Sequence, residues 1–383
     1  MRSTTFLIFF SIVLIIYGSV NYYIFVRGLQ AFSLSQPMKR WYIAIFWTVV
    51  SSFIVGSVLE RTTTTTSAFS EWIYRIGAFW IAFMLYLLIA AVLIDFVRIL
   101  NHFFHFLPPF SQLMRFRLGL GVFSMVTLLI IGGYINALWT KVNVVSLTIH
   151  KKVSGYQDFK ILMASDIHLG ALIGDRREKH LLDIIRAQKP DLVLLCGDIV
   201  DGEIAPVLRK KLGRHIQEIN TPMGVYAITG NHEYIGGIGN TLPYLKSVHI
   251  RMLMDETVTL PNGIQLVGRI DRAAGSGLQG PKPLAELLTA IDTLKPVIVM
   301  NHQPFNLQEA ADAKVDLHLS GHTHNGQLWP VNFMTNIIFE LSWGSLKKGV
   351  TNFYVSSGYG SWGPPVRIGN RPEVVVFNLK FDK

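Results

Sequence analysis

The chain has 383 residues, of which half are hydrophobic and only 16% charged, against roughly 25% charged in ordinary soluble domains. Thirty-five Lys and Arg against 25 Asp and Glu give a formal net charge of +10. The single cysteine, Cys196, excludes an intrachain disulfide framework and a Cys-based zinc cluster.

Asp, Glu, Lys and Arg are absent from four N-terminal windows: 24 residues between Arg2 and Arg27, 19 between Arg40 and Glu60, 19 between Arg75 and Asp95, and 23 between Arg117 and Lys141. A helix needs about 20 apolar residues to cross a bilayer, so a bundle of four transmembrane helices is predicted within residues 1–145. A soluble bundle would need polar faces, which stretches such as Phe6–Ile16 and Phe79–Ile94 lack. The first window is long for a signal peptide and has no small-x-small site behind it, so it reads as an uncleaved anchor.

Loop charge sets orientation. The first and third loops carry Arg27, Lys39, Arg40, Arg98, Arg115 and Arg117, whereas the N-terminus and second loop carry Arg2, Arg61 and Arg75. Six against three places the first and third loops in the cytoplasm. Counting Lys141, Lys151 and Lys152 levels the score, but long domains translocate largely regardless of charge. The expectation is a multi-pass protein of the cell (inner) membrane with its C-terminal domain outside the cytoplasm. Residues 1–150 hold ten Lys and Arg against three acids, while the remaining 233 hold 25 against 22. The basic excess thus belongs to loops flanking a lipid bilayer, and no nucleic-acid partner is expected.

Residues 146–383 read as one α/β domain. Val144–Ile149, Phe159–Ala164, Leu192–Cys196, Val225–Thr229, Val297–Met300, Val315–Leu319, Phe353–Ser356 and Val374–Leu379 are predicted strands. Glu178–Gln188, Pro206–Ile219 and Pro283–Leu294 are predicted helices. Fully apolar strands such as Leu192–Cys196 imply burial on both faces, and ligand sites in such sheets gather past the strand carboxyl ends.

Five of those ends carry chemistry. They are Ser165-Asp166-Ile167-His168, Gly197-Asp198-Ile199-Val200-Asp201, Gly230-Asn231-His232-Glu233, Asn301-His302 and Ser320-Gly321-His322-Thr323-His324. Any one of them could be an ordinary turn, since Asp and Gly favour turns. Turn formation does not ask for imidazole, however, and five of the nine histidines after residue 150 lie here. Together the loops point to a metal site. His180, His215, His249 and His318 fall outside them and read as ordinary surface or core residues.

The ordered set Asp-x-His, Gly-Asp-x-x-Asp, Gly-Asn-His-Glu, His, Gly-His-x-His, from Phe159 to His324, resembles the calcineurin-like metallophosphoesterase superfamily. The segment Tyr354–Glu373 resembles the ending of its membrane-associated bacterial phosphohydrolases. The resemblance implies a four-layer α/β/β/α sandwich, with one metal ion held by Asp166, His168, Asp198 and His324. It implies a second ion held by Asp198, Asn231, His302 and His322, with Asp198 bridging. It makes His232 the catalytic group at the leaving oxygen, and Asp201 is expected to orient that imidazole. Carboxylate, imidazole and carboxamide suit two divalent ions such as Mn, Fe or Zn. Two such ions about 3.5–4 Å apart can acidify a water and clamp phosphoryl oxygens, and His is suited to proton transfer near neutral pH.

Two features depart from simple readings. Protein Ser/Thr phosphatases of this superfamily carry an Arg after Gly-Asp-x-x-Asp, where this chain has Gly202, which lowers a protein-phosphatase reading. Gly358-Tyr-Gly-Ser-Trp-Gly363 matches a dinucleotide fingerprint but has Pro364 and Pro365 behind it and no βαβ unit to follow. The apolar segment Leu328–Trp343 has a plain reading, a hairpin packed on the domain's own core. Its sharper reading is a lip, including Phe333, Ile337 and Phe339, that touches bilayer or acyl chain.

The sequence therefore points to a membrane-anchored metal-dependent phosphohydrolase. Its expected substrate is a phosphoester or pyrophosphate, lipid-like or lipid-linked. A phosphodiesterase of soluble nucleotides is the alternative within enzymes. A transport or sensor protein with a regulatory metal domain is the alternative outside them, although charge-free spans offer no ion pathway.

Overall fold

The computed structural model describes residues 2–62, 68–276 and 280–382. Among these the chain forms two compact units, one built on the residues up to Leu59 with Ala68–Gly133, the other on the chain from Tyr134 onward.

The charge-free windows fall in four helices, the last window running two residues past its helix: α1 (Arg2–Phe32), α2 (Gln36–Thr62), α3 (Ala68–Phe104) and α4 (Gln112–Leu138). All four are long and apolar enough to cross a membrane. Small residues let α2 and α3 approach closely, because a Cβ on Gly77 would lie 2.3 Å from the Phe53 backbone and one on Gly56 2.5 Å from that of Tyr74. The buried Asn21 is paired inside the bundle: Trp80 Nε1 donates to its Oδ1 at 2.8 Å, and its Nδ2 donates to the Tyr17 carbonyl at 2.8 Å. The helices run beyond the windows, which brings Arg27 of α1 into an ion pair with Asp95 of α3.

The second unit contains β1 (Lys141–Lys152), β2 (Asp158–Ala164), β3 (Leu192–Cys196), β4 (Val225–Ile228), β5 (Arg251–Met252) and β6 (Glu256–Thr259). It continues with β7 (Gln265–Gly268), β8 (Val297–Met300), β9 (Leu317–Ser320), β10 (Gly344–Lys348), β11 (Thr351–Val355) and β12 (Glu373–Asp382). They form two six-stranded mixed sheets, in the orders β1-β12-β2-β3-β4-β5 and β10-β11-β9-β8-β7-β6. Strands β2 to β5 run parallel, as do β7, β8, β9 and β11, so their carboxyl ends gather on one edge of each sheet.

Alternation along the strands builds the layers. Ile161 and Met163 of β2 and Leu194 and Cys196 of β3 meet Ile298, Met300 and Leu319 between the two sheets. Leu162, Val193 and Leu195 face the opposite way, onto Leu181, Ile185, Val207 and Leu245 of covering helices. On the far side of the second sheet, Val299 and Phe353 pack on Leu284, Leu287, Leu307 and Ala310. The expected α/β/β/α order is present.

Several elements differ from their predicted form. Pro206–Ile219 is two helices, Ala205–Lys210 and Arg214–Gln217, because Lys211 (φ 50°) and Gly213 (φ 94°) turn left-handed between them. Pro283–Leu294 shortens to the helix Leu284–Leu288. Leu328–Trp343 is not a hairpin: it holds the helix Val331–Ile338, none of whose residues is buried.

Candidate metal centre

The five loops converge. The β2 loop lies along the β3 loop, with the amides of Asp166 and His168 donating to the carbonyls of Gly197 and Asp198, each at 3.0 Å. The Gly321 amide donates to the His302 carbonyl at 2.9 Å, joining the β8 and β9 loops. Asp166, His168, Asp198, His322 and His324 all have φ between 49° and 74°. That left-handed region costs a non-glycine residue about 1 kcal/mol or more, so strain concentrates at this site.

Two glycines serve approach rather than turning. A Cβ on Gly230 would lie 2.1 Å from Asp198 Oδ1, and one on Gly321 2.3 Å from Asp166 Oδ2. In each motif the glycine lets a neighbouring loop close over a carboxylate.

Asp166, His168, Asp198, His302 and His324 are buried, while Asn231, His232 and His322 are partly open. Asp166, His168 and His324 form one group that could hold a cation, and Asp198, His302 and His322 another. In the first, His168 Nε2 and His324 Nε2 are 3.1 Å apart, and His324 Nε2 lies 3.4 Å from Asp166 Oδ1. In the second, His302 Nε2 lies 3.1 Å from Asp198 Oδ2, and His322 Nδ1 lies 2.9 Å from Asn231 Oδ1. Asp198 stands at the junction. Its Oδ1 accepts from the His232 amide at 2.9 Å, leaving Oδ2 to face His302 and, at 3.9 Å, His168. All seven predicted ligands thus come together.

The donor set fits bound divalent cations. His302 Nδ1 donates to the Cys196 carbonyl at 2.8 Å, so in the neutral ring Nε2 carries the lone pair and faces the cluster. His168 Nδ1 is likewise occupied, 3.1 Å from Asp201 Oδ1, which aims its Nε2 inward. Burial, then the charge of Asp198, pushes the Asp166 carboxyl upward. Burial would lower His302, but the carboxylates of Asp198 and Asp166 raise it well above the usual imidazole range. Two buried carboxylates demand positive charge beside that ring, which a metal ion supplies as well as a proton does. Burial and neighbouring cationic groups push His322 down to about 3 and His324 well below its ordinary value. Both rings are thereby neutral, the form that ligates.

Asp201 is not on a helix but bridges two rings, 3.1 Å from His168 Nδ1 and 3.2 Å from His232 Nδ1. Burial opposes its charge, yet those hydrogen bonds hold it well below the carboxylate range. Burial also acts to lower His232, but Asp201, Asp198 and Glu233 outweigh it and bring the imidazole to about 9. His232 stands edge-on to His168, ring centres 4.6 Å apart.

Two residues had no role assigned from sequence. Glu233 is fully buried and accepts four backbone N–H groups: Ile199 (2.7 Å) and Val200 (3.0 Å) on one oxygen, Gly230 (2.7 Å) and Asp198 (3.1 Å) on the other. It fastens the Gly-Asp loop to the Gly-Asn-His-Glu loop. Arg367 is also fully buried. It binds the carbonyls of Ser357 (2.7 Å), Gly360 (2.5 Å) and His324 (3.2 Å), and its Nη2 lies 3.1 Å from His324 Nδ1. The sequence signal for both was membership of the quoted motifs, without the backbone partners that define their work. In the Gly358–Gly363 run the Tyr359 and Gly360 amides are engaged, donating to the carbonyls of Ser165 (2.8 Å) and Asp166 (2.7 Å) behind the β2 loop.

The helix Val331–Ile338 follows directly. Its apolar side chains face outward, with Ile337 85% exposed and Phe333, Met334 and Ile338 also exposed. Phe339 departs from its predicted place on the lip. It is buried against Phe305 (ring centres 4.7 Å) and His322 (5.8 Å), seating the helix on the β9 loop.

Comparison with known proteins agrees with this geometry. A family model described as calcineurin-like phosphoesterase matches residues 159–326. The chain is 30% identical over 383 residues to an uncharacterized metallophosphoesterase of Campylobacter jejuni, covering 99% of this chain and 100% of that one. It is 35% identical over 228 residues to one of Aquifex aeolicus, covering 58% and 85%. A Bos taurus "transmembrane protein with metallophosphoesterase domain" is 30% identical over 276 residues, covering 67% and 61%. The chain belongs to the calcineurin-like metallophosphoesterases. It is a metal-dependent phosphoester hydrolase associated with a membrane through apolar helices.

Proposed function

We propose that this enzyme is a dinuclear-metal phosphohydrolase acting on a lipid or lipid-linked phosphoester or pyrophosphate. In this reading a multi-pass transmembrane domain spans residues 1–145 and a catalytic domain spans residues 146–383, with β1 crossing that boundary. The membrane is the cell (inner) membrane and the catalytic domain lies outside the cytoplasm, as the loop charges favour.

The observation that carries the chemistry is Asp198, whose free oxygen stands between two clusters of imidazole and carboxylate. Asp166, His168, Asp198 and His324 would hold one ion, and Asp198, Asn231, His302 and His322 the other. Mn, Fe or Zn suits these donors. When bound, the ions supply Lewis acidity, acidifying a water for attack on phosphorus and drawing charge from the phosphoryl oxygens. His232, as its cation, protonates the leaving oxygen. Asp201 holds the His232 ring in place and keeps it charged.

That assignment fixes a pH dependence. A His232 acid is competent below its pKa and lost above it, so kcat/KM falls on the alkaline side. Bound ions add positive charge and bring that limb below about 9. Asp201→Asn removes a raising influence, and its alkaline limb should move down by roughly 1 to 2 pH units. An unmoved limb in a variant with normal metal content would remove His232 from this role.

The lipid reading rests on the exposed helix Val331–Ile338 beside the metal loop of a membrane-associated enzyme. Changing Phe333, Met334 and Ile337 together to Ser should cut hydrolysis of a lipid phosphate in vesicles by about tenfold or more. Hydrolysis of a soluble aryl phosphoester should stay within about twofold. Equal losses on both substrates would defeat the lipid reading while leaving the phosphohydrolase intact. Phosphate release from lipid phosphates, nucleotide-linked lipids and nucleotides, with Mn added, ranks the alternatives directly, and preference for free nucleotides selects the phosphodiesterase.

A further inference from the structure

We propose that the helical bundle contains a binding cleft for a phospholipid of net negative headgroup charge, formed by residues that take no part in the metal cluster. Between the four helices lies a cleft of about 1010 Å³. One wall runs along α3 from Trp80 through Leu87 and Ile94, and Arg27, Arg98 and Arg115 also line the cleft. Trp80 and Arg98 are 18 residues apart on one helix, about 27 Å at roughly 1.5 Å per residue. That exceeds the depth of one leaflet's hydrocarbon, about 15 Å, so the slot can take an acyl chain along its length.

The charges decide the headgroup. Asp95 is the only carboxylate on this surface among the described residues, and it is already engaged. It accepts from Tyr23 Oη at 2.5 Å, from Arg27 and from Arg98 Nη1 at 3.3 Å. Three guanidiniums against one carboxylate leave two positive charges in excess. The exposed Arg115 makes no side-chain hydrogen bond or ion pair among the described residues. Guanidinium matches phosphate oxygens in a two-point geometry, and here it stands at an apolar slot, so one lipid can satisfy both. A zwitterionic headgroup brings its own cation and leaves the excess charge unmet.

The test uses the whole protein in a neutral detergent, with phosphatidic acid and phosphatidylcholine of the same acyl chains as probes. Phosphatidic acid should raise the unfolding temperature by about 5 °C and phosphatidylcholine by much less. Arg98→Ala with Arg115→Ala should lose most of that rise and keep aryl phosphoester hydrolysis. Arg117→Ala, exposed on the same helix but outside the cleft, should keep the rise. Binding is also read on the unsubstituted arginines: brominated-chain phosphatidic acid should quench a tryptophan signal that disappears in Trp80→Phe. Equal stabilisation by both lipids, equal loss in Arg117→Ala, or quenching that persists without Trp80 would each overturn the cleft.

Discussion

Asp198→Ala is expected to lower metal-dependent hydrolysis of an aryl phosphoester by more than about 10³-fold and to empty both metal positions in a metal-content measurement. The magnitude follows from the two duties of one carboxylate. Its Oδ1 takes the His232 amide at the start of the short helix Asn231–Ile235, while its Oδ2 faces His302 and His168. Alanine therefore removes the shared ligand and loosens the backbone that presents His232. A folded Asp198→Ala protein that keeps its activity would falsify the assignment of the site.

Glu233→Gln should be the costliest change to stability outside the ligands themselves, although it alters one atom. Glu233 is an acceptor on both oxygens, and every partner is a buried backbone N–H. An amide in its place turns an N–H₂ group toward two of those donors. Each orphaned donor costs about 1–3 kcal/mol, so unfolding should become easier by about 2–6 kcal/mol. Burial and the charge of Asp198 push the Glu233 carboxyl upward, and four donors are what offset that cost. Urea unfolding followed by tryptophan fluorescence gives the number, and a change below about 1 kcal/mol would show that Glu233 does not fasten the two loops. Metal affinity should fall in parallel, because Asp198 and Asn231 sit on the strands' two fastened loops.

The same contrast explains what could be read from the sequence. Apolar strands buried on both faces leave an unmistakable run, so Leu192–Cys196 and Val297–Met300 were bounded to the residue. Strands such as β6, Glu256–Thr259, and β10, Gly344–Lys348, are short, half-exposed edges with charged residues, and they carry no such run. The residues of the cluster were legible because imidazole at successive strand ends serves no turn. Glu233 and Arg367 were not, because their partners are main-chain groups up to 43 residues away, and nothing in local sequence announces such a bond. The helix at Val331–Ile338 was hidden by composition alone, since an all-apolar run fits a buried hairpin as well as an exposed helix.

The end of α4 belongs to two stories at once. Asn136, in its last turn, donates to the carbonyls of Arg367 (2.9 Å) and Asn370 (2.7 Å), and accepts from Arg371 Nε at 3.1 Å. Arg177 reaches the Leu138 carbonyl at 3.0 Å. Only Trp139 and Thr140 separate that helix from β1. Asn136 thus steadies the stretch from which Arg367 holds His324, and an asparagine in an otherwise lipid-suited helix acquires its reason. The second unit consequently begins before its first strand: the residues from Tyr134 onward, including the last turn of α4, belong to the same compact body as the His324 loop.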